Sequence, residues 1–291
     1  MSAPAPDASP PPMLSPPVSL RCADKTLDLS QPVVMGVVNV TPDSFSDGGR
    51  FQTLEAAVSH GVRLADEGAA LIDVGGESTR PGAEPVALEE ELRRVVPVIE
   101  RLRAATRAVI SVDTSKPEVM RAALAAGAGL VNDVYALRAP GALAAVAASG
   151  CALCLVHMQG EPRTMQASPR YADVVGEVRA FLAERVAACR AAGVEAQRIV
   201  IDPGFGFGKT LEHNLTLLRH LRELTAGELP VLVGLSRKSM VGTLTGRPPG
   251  ERANGSIALA VVAALAGARI VRAHDVAATV EALQVVAAVM G

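Results

Sequence analysis

The sequence predicts an α/β protein, a single (β/α)8 TIM barrel of parallel strands with its functional site at the C-terminal rim of the sheet. Three observations predict it. Short aliphatic runs alternate with longer amphipathic segments from Pro32 onward. The runs are β-branched and apolar on both faces, as parallel strands covered by helices must be. Glycine follows several of the helical segments, where a left-handed cap turns the chain into the next strand. Eight strand–helix units in about 270 residues, about 34 each, suit a closed barrel with right-handed crossovers. A doubly wound open sheet is the alternative, weakened because no G-x-G-x-x-G opens the first helix.

Taken in order, the predicted strands are VVMGVVNV (33–40), ALIDVGG (70–76), AVISVD (108–113), GLVNDV (129–134), CALCLVHM (151–158), RIVID (198–202), PVLVGLS (230–236) and ARIVRAHD (268–275). Helical spacing marks 53–67, 85–105, 117–126, 171–192, 212–224, 251–267 and about 275–290. The capping glycines stand in EGAA (67–70), AGAG (126–129), SGCA (149–152), AAGV (191–194) and AGAR (266–269). Ahead of the barrel, Met1 to Pro17 hold seven prolines, so residues 1–20 are expected to be a disordered tail and 21–291 one domain.

The composition narrows the function. Of 291 residues, 49% are hydrophobic and the net charge is −2, which suits a folded chain. Aromatics are 2% and tryptophan is absent, so the core must be aliphatic. Basic residues are matched by acidic ones with no basic run, which argues against nucleic acid. No apolar run is long enough to span a membrane. No basic n-region and apolar h-region open the chain, so a cytoplasmic protein is expected. Cys151 and Cys154 form a C-x-x-C, but no second pair or His cluster completes a metal site. All four cysteines (Cys22, Cys151, Cys154, Cys189) read as core thiols in a reducing compartment. His60, His213 and His220 fall on helical segments and read as solvated.

The chemistry lies at the strand ends. The first strand ends in Asn39 and TPDSFSDGG, the second in Asp73 and GGESTRPG, and the third in Asp113. Then follow Asn132 and Asp133, His157, Asp202 with PGFGFGK, the SRKS of 236–239, and Arg272, His274 and Asp275. One such residue is commonly a turn former or helix cap. Eight polar ends on one rim need a shared polar ligand to compensate their desolvation. Arg80, Lys238, Arg272 and His274 supply donors for a phosphate or carboxylate. Asp113, Asn132 and Asp202 can read a flat heterocycle rich in N–H groups. PGFGFGK (203–209) lacks the Walker A spacing, and Phe205 and Phe207 suit packing beside a ring. SRKSMVGTL (236–244) reads as the start of a short helix, with Ser239 either a cap or an anion ligand.

Together NVTPDSFSDGG (39–49), DVGGESTRPG (73–82), VDTSKP (112–117), HMQGEPRTMQ (157–166), DPGFGFGK (202–209), GLSRKSM (234–240) and RAHD (272–275) resemble the dihydropteroate synthase pattern, in its order, over roughly 33–290. The resemblance implies a TIM barrel joining 6-hydroxymethyl-7,8-dihydropterin diphosphate to p-aminobenzoate in folate biosynthesis, a reaction blocked in this family by sulfonamide mimics. It implies that Asp113, Asn132, Asp202 and Lys238 hold the pterin. Thr79, Arg80, Arg272 and His274 would hold the diphosphate, with Asn39 the protein ligand of Mg2+. Pro81, Phe207 and Ser239 would line the p-aminobenzoate site, Ser239 taking its carboxylate. Arg80, Asp113, Lys238, Arg272 and His274 would be catalytic, in a dissociative, SN1-like substitution. The loops 40–50 and 75–85 would close over the site.

Two rivals share parts of this pattern: a pterin-binding methyltransferase domain using methyltetrahydrofolate, and a non-catalytic paralogue. The first would not need Asn39, Arg80 and Arg272, and the second would be expected to lose rim residues. ERANGSIAL (251–259) carries Asn254 where a small residue is usual, on a helix expected to begin below the site without catalytic consequence. The last two helices have more apolar surface than one core needs, which predicts a homodimer through them.

Overall fold

A computed structural model of the chain describes residues 19–40, 50–78 and 84–290, and for 50–53 the backbone alone. Eight parallel strands form the barrel: β3 (Val33–Asn39), β4 (Leu71–Gly75), β5 (Val109–Asp113), β6 (Leu130–Asp133), β7 (Ala152–Val156), β8 (Ile199–Asp202), β9 (Leu232–Val233) and β10 (Ile270–Ala273). They pair in the order β8-β7-β6-β5-β4-β3-β10-β9. A bridge between Ile201 and Val231 joins the two ends, with Ile201 N–H donating to Pro230 O at 3.1 Å. The barrel is thus the one the runs predict. The seventh predicted run shrinks to two residues of strand, Leu232–Val233, and at its start Pro230 has no N–H to contribute to a ladder.

The two-residue period of a strand sorts this sequence into layers. On one face of each strand, Ile72, Ile110, Val131, Leu153, Ile199 and Val271 pack outward against the helices. On the other, Met35, Leu71, Val109, Leu130, Ala152, Val200, Leu232 and Ile270 fill the lower barrel. Two residues further along each strand, the same inward face carries Asp73, Ser111, Asn132, Asp202 and Arg272. Asp113 comes another two residues on. A polar layer therefore sits on an aliphatic one, at the end where the strands run out.

The surrounding helices are α1 (Arg50–Asp66), α2 (Leu88–Ala105), α3 (Pro117–Ala125), α4 (Ala142–Ala147), α5 (Val174–Ala191), α6 (Leu211–Arg219), α7 (Arg222–Thr225), α8 (Ser239–Thr245), α9 (Ala253–Leu265) and α10 (Val276–Met290). The capping glycines Gly68, Gly127, Gly150, Gly193 and Gly267 all have positive φ, between 75° and 103°. The predicted helix 212–224 breaks at His220. There the bonding tightens from His220 N–H on Thr216 O to Leu221 N–H on Leu218 O. Helix α4, only six residues long, is too short to show a period in the sequence.

An antiparallel hairpin, β1 (Ser19–Cys22) and β2 (Lys25–Asp28), precedes the barrel. Leu20, Cys22 and Leu29 are fully buried and join the lower aliphatic layer, closing the bottom of the barrel. The sequence reading places Ser19 and Leu20 in the tail. They belong instead to this plug, whose four-residue strands are too short to stand out. The rest of the tail, 1–18, lies outside the described residues. All four cysteines are buried free thiols, and burial raises each of them, Cys22 to about 12.

Candidate functional site

A cavity of about 800 Å3 opens at the C-terminal ends of the strands. Asn39, Asp113, Asn132, Asp202, Phe207, Lys238, Ser239, Arg272 and His274 all border it, so these predicted site residues meet in one mouth. Thr79, Arg80 and Pro81, with most of the 40–50 loop, lie outside the described residues.

The floor is an ion-paired network. Arg272 donates from Nε to Asp73 Oδ2 at 2.6 Å and from Nη2 to Asp113 Oδ2 at 3.1 Å. Asp73, fully buried, also accepts from Ser111 Oγ at 2.6 Å and from Asn132 Nδ2 at 3.1 Å. Asp73 and Ser111 are register partners on β4 and β5, which is why their side chains meet. Binding Asn132 by its nitrogen leaves Asn132 Oδ1 buried without a partner among the described residues. A buried acceptor without a donor costs about 1–3 kcal/mol, so this atom carries an unmet need for an N–H donor.

The charges are strongly perturbed. Burial, and then the neighbouring Asp73, pushes Asp113 up to about 7, with Arg272 opposing. Burial also raises Asp202, whose carboxylate accepts from Gly204 N–H at 2.7 Å and faces Lys238. Burial lowers Lys238 to about 8 against the pull of Asp202. Burial opposes the charge on Arg272, but Asp73 and Asp113 outweigh it and hold its pKa above the ordinary value. Clusters of this kind at a cavity mark functional sites.

The β8–α6 loop forms one wall. Lys238 Nζ lies 4.5 Å from the Phe207 ring centroid and donates to Phe205 O. Phe207 borders the cavity as expected, whereas Phe205 turns away and is fully buried in the outer core. Lys209, almost fully buried, donates to Gly204 O at 2.9 Å and Phe207 O at 3.1 Å and sits 2.9 Å from His157 Nδ1. Burial, and then Lys209, drives His157 down to about 3. Gly204 has φ +68° and faces His157 O so closely that a Cβ would fall 1.8 Å from it.

On the other side, His274 Nδ1 lies 3.0 Å from Ser236 Oγ. Ser239 opens α8 without capping it, Lys238 being the N-cap residue, so the hydroxyl is not spent as a cap. Asn39 ends β3 beside Gly75, its Oδ1 3.9 Å from the point where a Gly75 Cβ would stand.

Some residues of the site escaped the sequence reading. Asp73 was visible as a polar strand end, but nothing marked it as the shared partner of Arg272 and Asn132. Ser111 and Lys209 carried no signal beyond lying within or beside the motifs. Arg252, Pro249 and Gly250 also border the cavity. The start of α9 therefore reaches the rim, and is not below the site as its position in ERANGSIAL suggested.

Comparisons with known proteins show which family the chain resembles. The profile of the pterin binding enzymes matches residues 35–274. The dihydropteroate synthase of Escherichia coli K12 is 54% identical over 265 residues, covering 91% of this chain and 94% of that one. The structure of Xanthomonas albilineans dihydropteroate synthase with 4-aminobenzoic acid superposes with a TM-score of 0.90 at 58% identity, covering 94% of this chain and 99% of its own. The structure of the Xanthomonas enzyme in complex with 7,8-dihydropteroate gives a TM-score of 0.86 at 55% identity and the same coverage.

Proposed function

The chain belongs to the dihydropteroate synthases of the pterin-binding enzyme family, and from that premise we propose how its own residues divide the reaction. The enzyme is a transferase that joins 6-hydroxymethyl-7,8-dihydropterin diphosphate to p-aminobenzoate. A methylene C–O bond breaks, a C–N bond forms, diphosphate departs, and the arylamine gives up one proton.

The observation that carries the assignment is the unspent Asn132 Oδ1 beside Asp113, Asp202 and Lys238 in one cavity. A pterin ring presents an amino group and ring N–H donors together with acceptors on the same edge system. Asp202, Asp113 and Asn132 Oδ1 accept from the donors, and Lys238 donates to an acceptor. Arg272 and His274, with Arg80 and Thr79, hold the diphosphate. Phe207, Ser239 and Pro81 hold p-aminobenzoate, with the Ser239 hydroxyl on its carboxylate.

Asn39 offers one neutral oxygen ligand, and among the described residues no group of three or more acidic, His or Cys side chains could enclose a metal. That donor set fits Mg2+ brought in with substrate phosphates, which takes only one or two protein ligands. When bound, the ion neutralises charge on the diphosphate.

Arg272 supports bond breaking by meeting negative charge that grows on the leaving oxygens. Asp113 and Asp202 favour the positive charge left on the methylene-pterin, which makes the substitution SN1-like. The arylamine is already neutral and nucleophilic, so the site orients it and needs no obligatory base. Exposed Val262 and Leu265 on α9 and Val285, Val289 and Met290 on α10 support a homodimer through these helices. Four buried, unpaired thiols suit the reducing cytoplasm, and no helix among the described residues is long and apolar enough to cross a membrane.

The test is diphosphate release by the purified protein with both substrates and Mg2+. Turnover that yields dihydropteroate, and that falls at least 100-fold in Lys238→Ala with the fold intact, is the expected result. Unchanged turnover in that variant would remove the cavity from the reaction.

A further inference from the structure

Arg237, between strand β9 and helix α8, is one of four non-glycine residues with positive φ among the described residues, at +57°. An L-residue holds that conformation only where its surroundings over-determine it. Here both ends of its backbone are gripped by the start of α9. Arg237 N–H donates to Ser256 Oγ at 2.9 Å, and Ser256 Oγ donates in turn to Arg252 O at 2.6 Å. Arg252 Nη1 donates to Arg237 O at 3.1 Å and reaches Lys238 O at 3.4 Å, while its Nε is fixed on Arg247 O at 3.0 Å. Ser256 is buried, so no water replaces it readily.

The turn has a consequence for the site. Lys238 and Ser239 follow Arg237 directly, and both border the cavity. With Arg237 left-handed, its own guanidinium is directed to Asp275, 2.5 Å from Nη2 to Oδ1, while Lys238 extends over Phe207. A right-handed or extended Arg237 would re-aim the next two side chains.

We propose that Ser256 and Arg252 are positioning residues that hold the Arg237 peptide left-handed and thereby aim Lys238 at the pterin and Ser239 at p-aminobenzoate. They act through the backbone of one turn, so both substrates feel their loss together. The inference rests on the assignment of Lys238 and Ser239 to the two substrates.

The experiment measures steady-state constants for both substrates in Ser256→Ala, with Arg252→Lys as a second variant that keeps the cation and loses the planar fork. The expected result is a rise of about tenfold in KM for dihydropterin diphosphate and for p-aminobenzoate alike. Glycine adopts positive φ without strain, so in an Arg237→Gly background the added Ser256→Ala should change either KM less than twofold. Unchanged KM values in folded Ser256→Ala and Arg252→Lys would overturn the proposal. So would a tenfold effect that persists undiminished in the Arg237→Gly background, because the serine would then act otherwise than through the turn. Lys238→Ala is measured beside them: if it too leaves both KM and kcat unchanged, the substrate assignment has failed and not the positioning alone.

Discussion

Arg272 on β10 is held by Asp73 on β4, Nε to Oδ2 at 2.6 Å, across the β3 strand that separates them. The contact does two things. It fixes the guanidinium at the floor of the cavity, and it places a second carboxylate where it raises Asp113. Replacing Arg272 with Met keeps bulk but leaves Asp73 and Asp113 without their cation. Breaking a buried pair in this way costs about 3 kcal/mol at neutral pH, and less in acid, where Asp113, raised to about 7, takes up a proton. Urea unfolding at pH 8 and pH 5 measures that difference, and kcat/KM should fall at least 100-fold.

Asp113 makes stability depend on pH in an unusual direction for a carboxylate. Its ordinary pKa is 3.8, and burial with Asp73 raises it to about 7 in the folded protein. Between those values the native state keeps a proton that the unfolded state has lost. This group's contribution therefore falls as pH rises from about 4 to about 7, then levels off. Against Asp113→Asn, the wild-type urea midpoint should decline over that window.

Activity should respond oppositely at the acid side. In the proposed binding mode Asp113 accepts ring N–H groups as a carboxylate, so pterin binding should strengthen as pH rises through about 7. Lys238 loses its charge as pH passes about 8, so kcat/KM should fall again above that. A bell centred between the two is expected. Lys238→Arg should retain charge and extend the alkaline limb, whatever its absolute rate; a pH profile for each variant checks this.

Dissociative substitution predicts slow diphosphate release from dihydropterin diphosphate and Mg2+ without p-aminobenzoate. A coupled phosphate assay reads it directly. A strict requirement for p-aminobenzoate under saturating conditions would instead favour concerted displacement.

The apolar strip on α9 and α10 predicts a dimer of two 30.0 kDa chains. Val285→Glu with Val289→Glu should give monomers by light scattering at micromolar concentration, since both positions are more than half exposed in the single chain. Wild-type protein that is already monomeric would contradict the interface.

Much of this was legible in the chain because the controlling forces are local. Glycine at Gly68, Gly127, Gly150, Gly193 and Gly267 marks helix ends by steric necessity, and the unbroken aliphatic runs mark strands covered on both faces. The polar residues that end those strands could then be read as one shared rim, while their layering over an aliphatic inward face came from the register of the barrel. What escaped depended on pairing between distant segments. Asp73 and Arg272 are 199 residues apart, and no spacing rule links them. The left-handed Arg237 is set by Ser256 and Arg252, so its backbone cannot be inferred from Arg237 itself. The hairpin at Ser19–Asp28 is stabilised by the barrel bottom it fills, and four-residue strands carry too little pattern alone.

A crystal structure of the protein with the dihydropterin substrate shows whether the inward polar layer of the barrel mouth binds the pterin. The ring should sit between Asn132, Asp202 and Lys238, with Asn132 Oδ1 accepting a ring N–H within about 3 Å. A ring bound elsewhere, with Asn132 Oδ1 still unpaired, would contradict it.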